Sequence, residues 1–237
     1  MLRFFFVITV SIIPIIFFIA KCHYIERHPE KYTEEARYET ALYACNIIEK
    51  RSFIKTDIYG AENLPKEGGY IMYPNHQGKF DTIGIMLGHK EPCSVVIDAK
   101  KKNTILLKEY ISVVQGKWLD RTDMKNQVKV IMDMASDVKE GKKYIIFPEG
   151  GYTSDGTNDV HEFLPGAFKA SIKAKAPIVP VALVNCFKPY IYNSLRRVNV
   201  QVHFLEPIYY DEYKDMKSTE IASLVKARIE KKISDSI

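Results

Sequence analysis

The 237-residue sequence has no long low-complexity tract and no internal repeat, which argues against fibrous, solenoid and largely disordered classes. Its four cysteines, Cys22, Cys45, Cys93 and Cys186, are scattered, with no Cys-x2-Cys or Cys/His metal spacing. Neither a disulfide framework nor a zinc site is indicated, and reduced thiols in a cytosolic setting are the simplest account. No basic motif is interleaved with aromatics, and the net charge of +5 is modest, so nucleic acid is not expected as a partner. His23, His28, His89, His161 and His203 lack the spacing of metal ligands and read as structural or surface residues. With 46% apolar residues the chain suffices for one sizeable domain plus appendages, and a two-domain split is not expected.

Charge is missing from one stretch in particular. Phe4 to Ala20 carries none, is dominated by Phe and Ile, and is interrupted only by Thr9, Ser11 and Pro14. At about 1.5 Å per residue such a helix spans roughly 25 Å, the lower edge of what crosses a bilayer core, with local thinning or a kink at Pro14. A cleaved signal peptide is the alternative, but Phe18-Ile19-Ala20-Lys21-Cys22 offers no small-x-small site, so residues 1–21 are expected to stay as a single-pass membrane anchor. Lys21, Arg27 and Lys31 follow it and Arg3 alone precedes it, which places the main domain on the cytoplasmic side. Residues 22–52 form an expected amphipathic linker, helical from Pro29 to Arg51 with Tyr38, Leu42, Cys45 and Ile48 on one face. The main domain then runs over 53–237.

Within it, strand and helix signals alternate. Strands are predicted near Phe53–Tyr59, Tyr70–Tyr73, Ser94–Ile97, Tyr144–Phe147, Ile178–Val184 and Val198–Phe204, and helices near Asp81–Gly88, Asn103–Ile111, Asp123–Lys139, Gly166–Ala174 and Ser218–Ile233. This order predicts an α/β fold with a mixed, mostly parallel sheet flanked by helices.

The chemistry concentrates in Tyr73-Pro74-Asn75-His76-Gln77-Gly78-Lys79-Phe80-Asp81, directly after an apolar strand. Histidine is the side chain whose unperturbed pKa suits proton transfer near neutrality, and a nearby carboxylate can fix its tautomer and stabilise the imidazolium. No serine, cysteine or second histidine lies inside the element, so the hydroxyl to be activated belongs to a substrate. Asp81 also suits the N-cap of the helix that follows, a role compatible with orienting His76.

Three further blocks follow in order: Gly116-Lys117-Trp118-Leu119-Asp120-Arg121, Phe147-Pro148-Glu149-Gly150-Gly151, and Ala176-Pro177-Ile178-Val179-Pro180-Val181. Together with the His76 element they resemble the glycerolipid acyltransferases typified by 1-acylglycerol-3-phosphate acyltransferase, over roughly Asn63 to Ile208. Three departures bear on substrate. The family's third block reads Phe-Pro-Glu-Gly-Thr-Arg-Ser, whereas Gly151-Tyr152-Thr153 here lacks the arginine. Gly116 lies four residues before Asp120, and Gln115 takes the place of the usual glycine. Pro165-Gly166-Ala167-Phe168 replaces a Lys-Gly-Ala-Phe.

The resemblance implies an acyl group moved from acyl-CoA or acyl-carrier protein to the free hydroxyl of lysophosphatidic acid, with membrane lipid as partner and neither cofactor nor metal required. It implies His76 and Asp81 as the catalytic pair, with Asn75, Lys79, Arg121, Glu149 and Gly150 holding substrate. Arg121 would contact the acceptor phosphate through its planar fork of donors. The Ile178 block reads as a buried strand that helps shape the acyl pocket. The run Lys100-Lys101-Lys102, with Lys108, is a solvated face that also suits anionic head groups, coenzyme A phosphates or an acidic carrier. Alternatives are acylation of glycerol 3-phosphate, another lysophospholipid or an amino-acid lipid, a noncatalytic lipid-binding or tethering protein, and, more distantly, a metal-dependent hydrolase using His76, Asp81 and Glu149.

Overall fold

The computed structural model describes residues 2–104, 106–152 and 155–237. Two helices, α1 (Leu2–Val10) and α2 (Ile12–Arg27), lead through a 3-10 turn at Pro29–Lys31 into α3 (Glu34–Arg51). There follow β1 (Ile54–Tyr59), β2 (Ile71–Pro74), α4 (Asp81–Gly88), β3 (Ser94–Asp98), α5 (Leu107–Val113), β4 (Lys117–Leu119), α6 (Met124–Lys139) and β5 (Tyr144–Ile145). The chain continues through α7 (Lys169–Ala174), β6 (Ile178–Val184), α8 (Lys188–Ile191), β7 (Val198–Phe204), α9 (Tyr210–Tyr213) and α10 (Ser218–Ser234).

Among the described residues seven strands form one sheet in the order β1-β7-β6-β2-β5-β3-β4. Every neighbouring pair is parallel except β6 with β7, so the sheet is mixed and mostly parallel, as expected. β6 is buried along its whole length, which fits an unbroken apolar run covered on both faces. On one face pack Phe18, Cys22 and Ile25 of α2, Tyr38, Ala41 and Cys45 of α3, and Ile85 and Met86 of α4. On the other pack Val130, Met134 and Val138 of α6 and Ile221, Val225, Ile229 and Ile233 of α10, each set recurring every four residues along its helix. Burying one such side chain is worth about 1.5–3 kcal/mol, so these two layers fix the strand ends from which the site is built.

The N-terminal segment departs from the expected single helix. α1 and α2 meet at Ser11 with a bend of 73°, and among the described residues no single helix is long and apolar enough to cross a membrane. Pro14 is the cause, but the break lies three residues before it. Proline has no N–H and its ring clashes with the carbonyl four residues earlier, here Val10, so the first helix must end there and Pro14 falls in the first turn of the second. The freed Val10 carbonyl accepts a hydrogen bond from the Arg51 guanidinium instead. Arg3 is not a solvated flanking charge either. It is fully buried and donates to the carbonyls of Ser52 at 3.0 Å, Ser194 at 2.9 Å and Arg196 at 2.7 Å, clamping α1 onto the loops that enter β1 and β7.

The helix expected from Pro29 begins only at Glu34. Tyr32 is extended, Thr33 caps by accepting from the Ala36 N–H at 3.3 Å, and Arg37 ties the preceding turn through the carbonyls of Pro29 and Tyr32. α2 runs without a break past residue 21 to Arg27. α5 starts at Leu107 rather than Asn103, and Ile105 within that expectation lies outside the described residues. The edge strand β4 and the single-turn helices α8 and α9 were not foreseen; none is long enough to show a period.

Candidate active site

β2 ends at Pro74 in the middle of the sheet, and the loop 75–80 crosses its carboxyl end before α4 begins. Asn75 is fully buried. Its side-chain oxygen accepts from the Leu183 N–H at 2.7 Å and its amide donates to the Leu183 carbonyl at 3.1 Å, extending the β2–β6 pairing by one residue. Both ends of the amide are engaged by backbone, so Asn75 braces the loop rather than presenting a free amide to a substrate.

The next residue is held from three sides. His76 Nδ1 lies 2.7 Å from Asp81 Oδ2, and its backbone N–H donates to Glu149 Oε1 at 2.9 Å. Its ring packs between Phe147, at 4.1 Å between centroids and 30° between planes, and Tyr152, at 4.7 Å and 72°. A carboxylate can only accept, so Nδ1 carries a proton, and in the neutral ring the lone pair is on Nε2.

Asp81 does not cap α4 with its side chain. It is the first helical residue, and Oδ2 turns back to accept from the N–H groups of Gln77 at 2.6 Å and Gly78 at 2.9 Å as well as from His76, while buried Oδ1 has no protein partner. Three donors on one oxygen organise the loop around the carboxylate, which is a different job from relieving a helix end.

Glu149 follows β5. Oε1 holds the His76 amide, Oε2 is buried without a protein partner, and burial pushes the carboxyl up to about 7, against a smaller lowering by the His76 N–H. Near neutrality this group is poised between acceptor and donor. Gly150 takes φ +72°, and a Cβ there would lie 2.6 Å from Arg121 Nη1. Glycine suits the left-handed turn and leaves room for the guanidinium.

Arg121 reaches this point because β4 runs parallel to β3 with Asp98 opposite Leu119, so both strands end at the same level. Asp98 Oδ2 lies 3.5 Å from Arg121 Nε, and Asp98 Oδ1 accepts from the Lys100 N–H at 2.9 Å, capping the turn Ala99–Lys101. Lys101 Nζ sits 5.3 Å from the centre of the Tyr152 ring. Lys79 faces the other way, 5.0 Å above the ring of Phe4 in α1. Gln115, standing where the family has glycine, adopts φ +53°, a conformation that favours glycine. Thr153 of the third block lies outside the described residues.

Sequence reasoning passed over three residues that lock the loop. Gln77 accepts from the Cys186 N–H at 2.7 Å and donates to Asn158 Oδ1 at 2.9 Å; Asn158 in turn pairs with Asn185 through contacts of 2.8 and 3.2 Å. No local signal marks this network, because its members lie on three loops more than a hundred residues apart at the extremes. Phe147 stands in the third block and in an expected strand, but nothing local shows that its ring meets His76; β5 ends two residues before it. His89 is buried away from the site, bonded to Tyr70 Oη and the Glu91 carbonyl, and burial lowers it to about 4. Among the described residues no three His, Cys, Asp or Glu side chains are grouped to hold a metal ion.

A family model described as Acyltransferase matches residues 55–184, more than half of the chain. The 1-acyl-sn-glycerol-3-phosphate acyltransferase of Saccharomyces cerevisiae is 30% identical over 199 residues, covering 81% of this chain and 64% of its own length. That of Salmonella typhimurium is 30% identical over 179 residues, covering 74% and 70%. That of Borreliella burgdorferi is 27% identical over 189 residues, covering 76% and 72%. Among solved structures, the 1-acyl-sn-glycerophosphate (LPA) acyltransferase of Thermotoga maritima superposes with a TM-score of 0.73 at 21% identity, covering 99% of this chain and 94% of the other. At that identity the likeness speaks for the fold.

Proposed function

Because the chain belongs to the acyltransferase family, we propose that it moves a fatty acyl group from a thioester to the free hydroxyl of 1-acylglycerol 3-phosphate, in phospholipid synthesis. The observation that carries this reading is the oriented pair of His76 and Asp81, with Nδ1 tied to the carboxylate and Nε2 free to accept a proton. In the first step Nε2 takes the proton of the acceptor hydroxyl while its oxygen attacks the thioester carbonyl. Asp81 offsets the charge on the imidazolium. The tetrahedral oxyanion then collapses, the carbon–sulfur bond breaks, and the thiolate takes the proton held by His76. The acyl group passes directly to the acceptor without a covalent acyl-enzyme, in keeping with the lack of serine and cysteine in the His76 loop.

Arg121, pressed against Gly150 at the mouth of the site, suits the acceptor phosphate. Glu149 shapes the loop through the His76 amide and offers its second oxygen to an acceptor hydroxyl. The donor is acyl-CoA or acyl-carrier protein, with the lysine run 100–102 placed to attract either.

The lipid substrates are met at a membrane. We assign α1 and α2 to the bilayer interface rather than to a span. The inner face of α2 is occupied by the protein core through Phe18, Cys22 and Ile25, and Arg3 is buried in the domain. Phe5, Ile13, Ile16 and Phe17 remain exposed and form an apolar surface. The catalytic domain faces the cytoplasm, where the acyl donors are.

An acceptor panel with purified full-length protein and labelled acyl-CoA or acyl-carrier protein tests this function. Transfer to 1-acylglycerol 3-phosphate that is abolished in His76→Ala is expected. Failure to acylate any glycerolipid acceptor with either donor would sink the reading.

A further inference from the structure

The residue beside the proton acceptor in the third block is a tyrosine where the family has an arginine, and its surroundings say what it does. The Tyr152 ring lies against the His76 ring and carries the Lys101 ammonium above it. An acceptor oxygen approaching Nε2 therefore passes along an aromatic wall, not along a guanidinium. Of the cations at this mouth, Arg121 is already shared with Asp98, and Lys101 sits on a turn capped by that same aspartate. The charge offered to a phosphate is thereby reduced and carries no second fork. An ammonium is a point charge that reads a phosphate without regard to its orientation, whereas a planar fork holds two unesterified oxygens side by side, and a phosphomonoester, with three such oxygens and a second negative charge, gains more from an added fork than a phosphodiester with two. The ring adds an apolar surface on which the carbon of an acceptor can rest.

We propose that Tyr152 sets the acceptor class of this chain: lysophospholipids whose phosphate bears a head group, that is phosphodiesters, are acylated alongside the phosphomonoester. This rests on the acyltransferase reading and narrows it. A phosphomonoester carries about −1.5 to −2 charge near neutrality and gains most from a second fork of donors; a phosphodiester lacks the second ionisation and loses little without one. Burial and nearby Asp81 keep the Tyr152 phenol protonated, so the wall stays uncharged.

The test compares kcat/KM for 1-acylglycerol 3-phosphate and for its choline-bearing counterpart, using the full chain in the same mixed micelles. In the wild type the two values are expected to lie within about tenfold of each other, a gap of about 1.4 kcal/mol. Tyr152→Arg should raise the monoester-to-diester ratio by at least tenfold, and Lys101→Met should raise KM for both acceptors by similar factors, with melting temperatures near wild type in each case. An unchanged ratio in folded Tyr152→Arg, or unchanged KM values in Lys101→Met, would overturn the assignment while leaving the acyltransferase reading intact. A wild type confined to the monoester would also overturn it. Transfer to neither acceptor would remove both readings together.

Discussion

The guanidinium of Arg121 occupies the space that any side chain at Gly150 would fill, with Nη1 2.6 Å from the position of the missing Cβ. Two blocks separated by the whole of α6 and β5 thus meet at the mouth of the site, where the absence of a side chain at Gly150 leaves room for the guanidinium.

Gly150→Ala is therefore expected to cost about 1–2 kcal/mol from its left-handed backbone alone. It should also raise KM for a phosphate-bearing acceptor by displacing Arg121, an effect Arg121→Ala should reproduce and Arg121→Lys should not repair. Denaturant unfolding and initial rates over a range of acceptor concentrations separate the two consequences. If Gly150→Ala keeps a normal KM while Arg121→Ala does not, the guanidinium can move aside freely and the fit is incidental.

His76→Ala should lower kcat by about 10²–10⁴-fold, the range for loss of a general base, with the fold retained. Asp81→Asn is expected to be severe as well. An amide can still accept one N–H, but it presents no charge to the imidazolium, and its NH2 group would face donors already crowded on one oxygen. Near-normal turnover in a folded Asp81→Asn protein would limit the carboxylate to bracing the loop.

Glu149 makes stability depend on pH in a direction opposite to most carboxylates. Its folded pKa of about 7 lies above the ordinary 4.5, so the folded state binds its proton more tightly than the unfolded chain. The resulting stabilisation is fully present below 4.5, declines as pH rises, and is gone above about 7. Glu149→Gln lacks this contribution to the slope. The unfolding free energy of wild type minus that of Glu149→Gln should fall between pH 4.5 and pH 7 and then level off. A difference that stays flat over that window would mean the carboxyl is not raised.

Replacing Phe5, Ile13, Ile16 and Phe17 together by serine should abolish cosedimentation with vesicles of phosphatidylethanolamine and phosphatidylglycerol, because each deleted apolar side chain forfeits about 1.5–3 kcal/mol of burial. The domain should still melt cooperatively. A cysteine placed at Leu2 that reacts with an impermeant thiol reagent only from the side opposite the domain would show a span instead.

How much of this could be read from the chain depended on distance along it. His76 and Asp81 are five residues apart across a strand-to-helix turn, so their meeting is a local matter that spacing reveals. The mixed sheet was legible from alternating periods because each buried strand is a run of its own. Arg121 with Gly150, and Lys101 with Tyr152, meet only because β5, β3 and β4 lie side by side, and nothing in either segment announces its neighbour. The resemblance gives Asn75 to the substrate, yet its side chain is engaged by Leu183, 108 residues on. Asp81 was allowed to cap its helix because cap preferences describe residue types, whereas the direction of its carboxylate is set by three donors on the preceding loop.

The clamp around Arg3 has a consequence in time. Its acceptors at Ser194 and Arg196 are 191 and 193 residues further along the chain. At a synthesis rate of about 5–20 residues per second, roughly 10–40 seconds pass between the appearance of α1 and that of the carbonyls that receive it. For that interval the first helices have no finished protein surface to rest on and expose apolar side chains on every face. The joint between α1 and the rest of the domain therefore cannot close until Arg196 has been made.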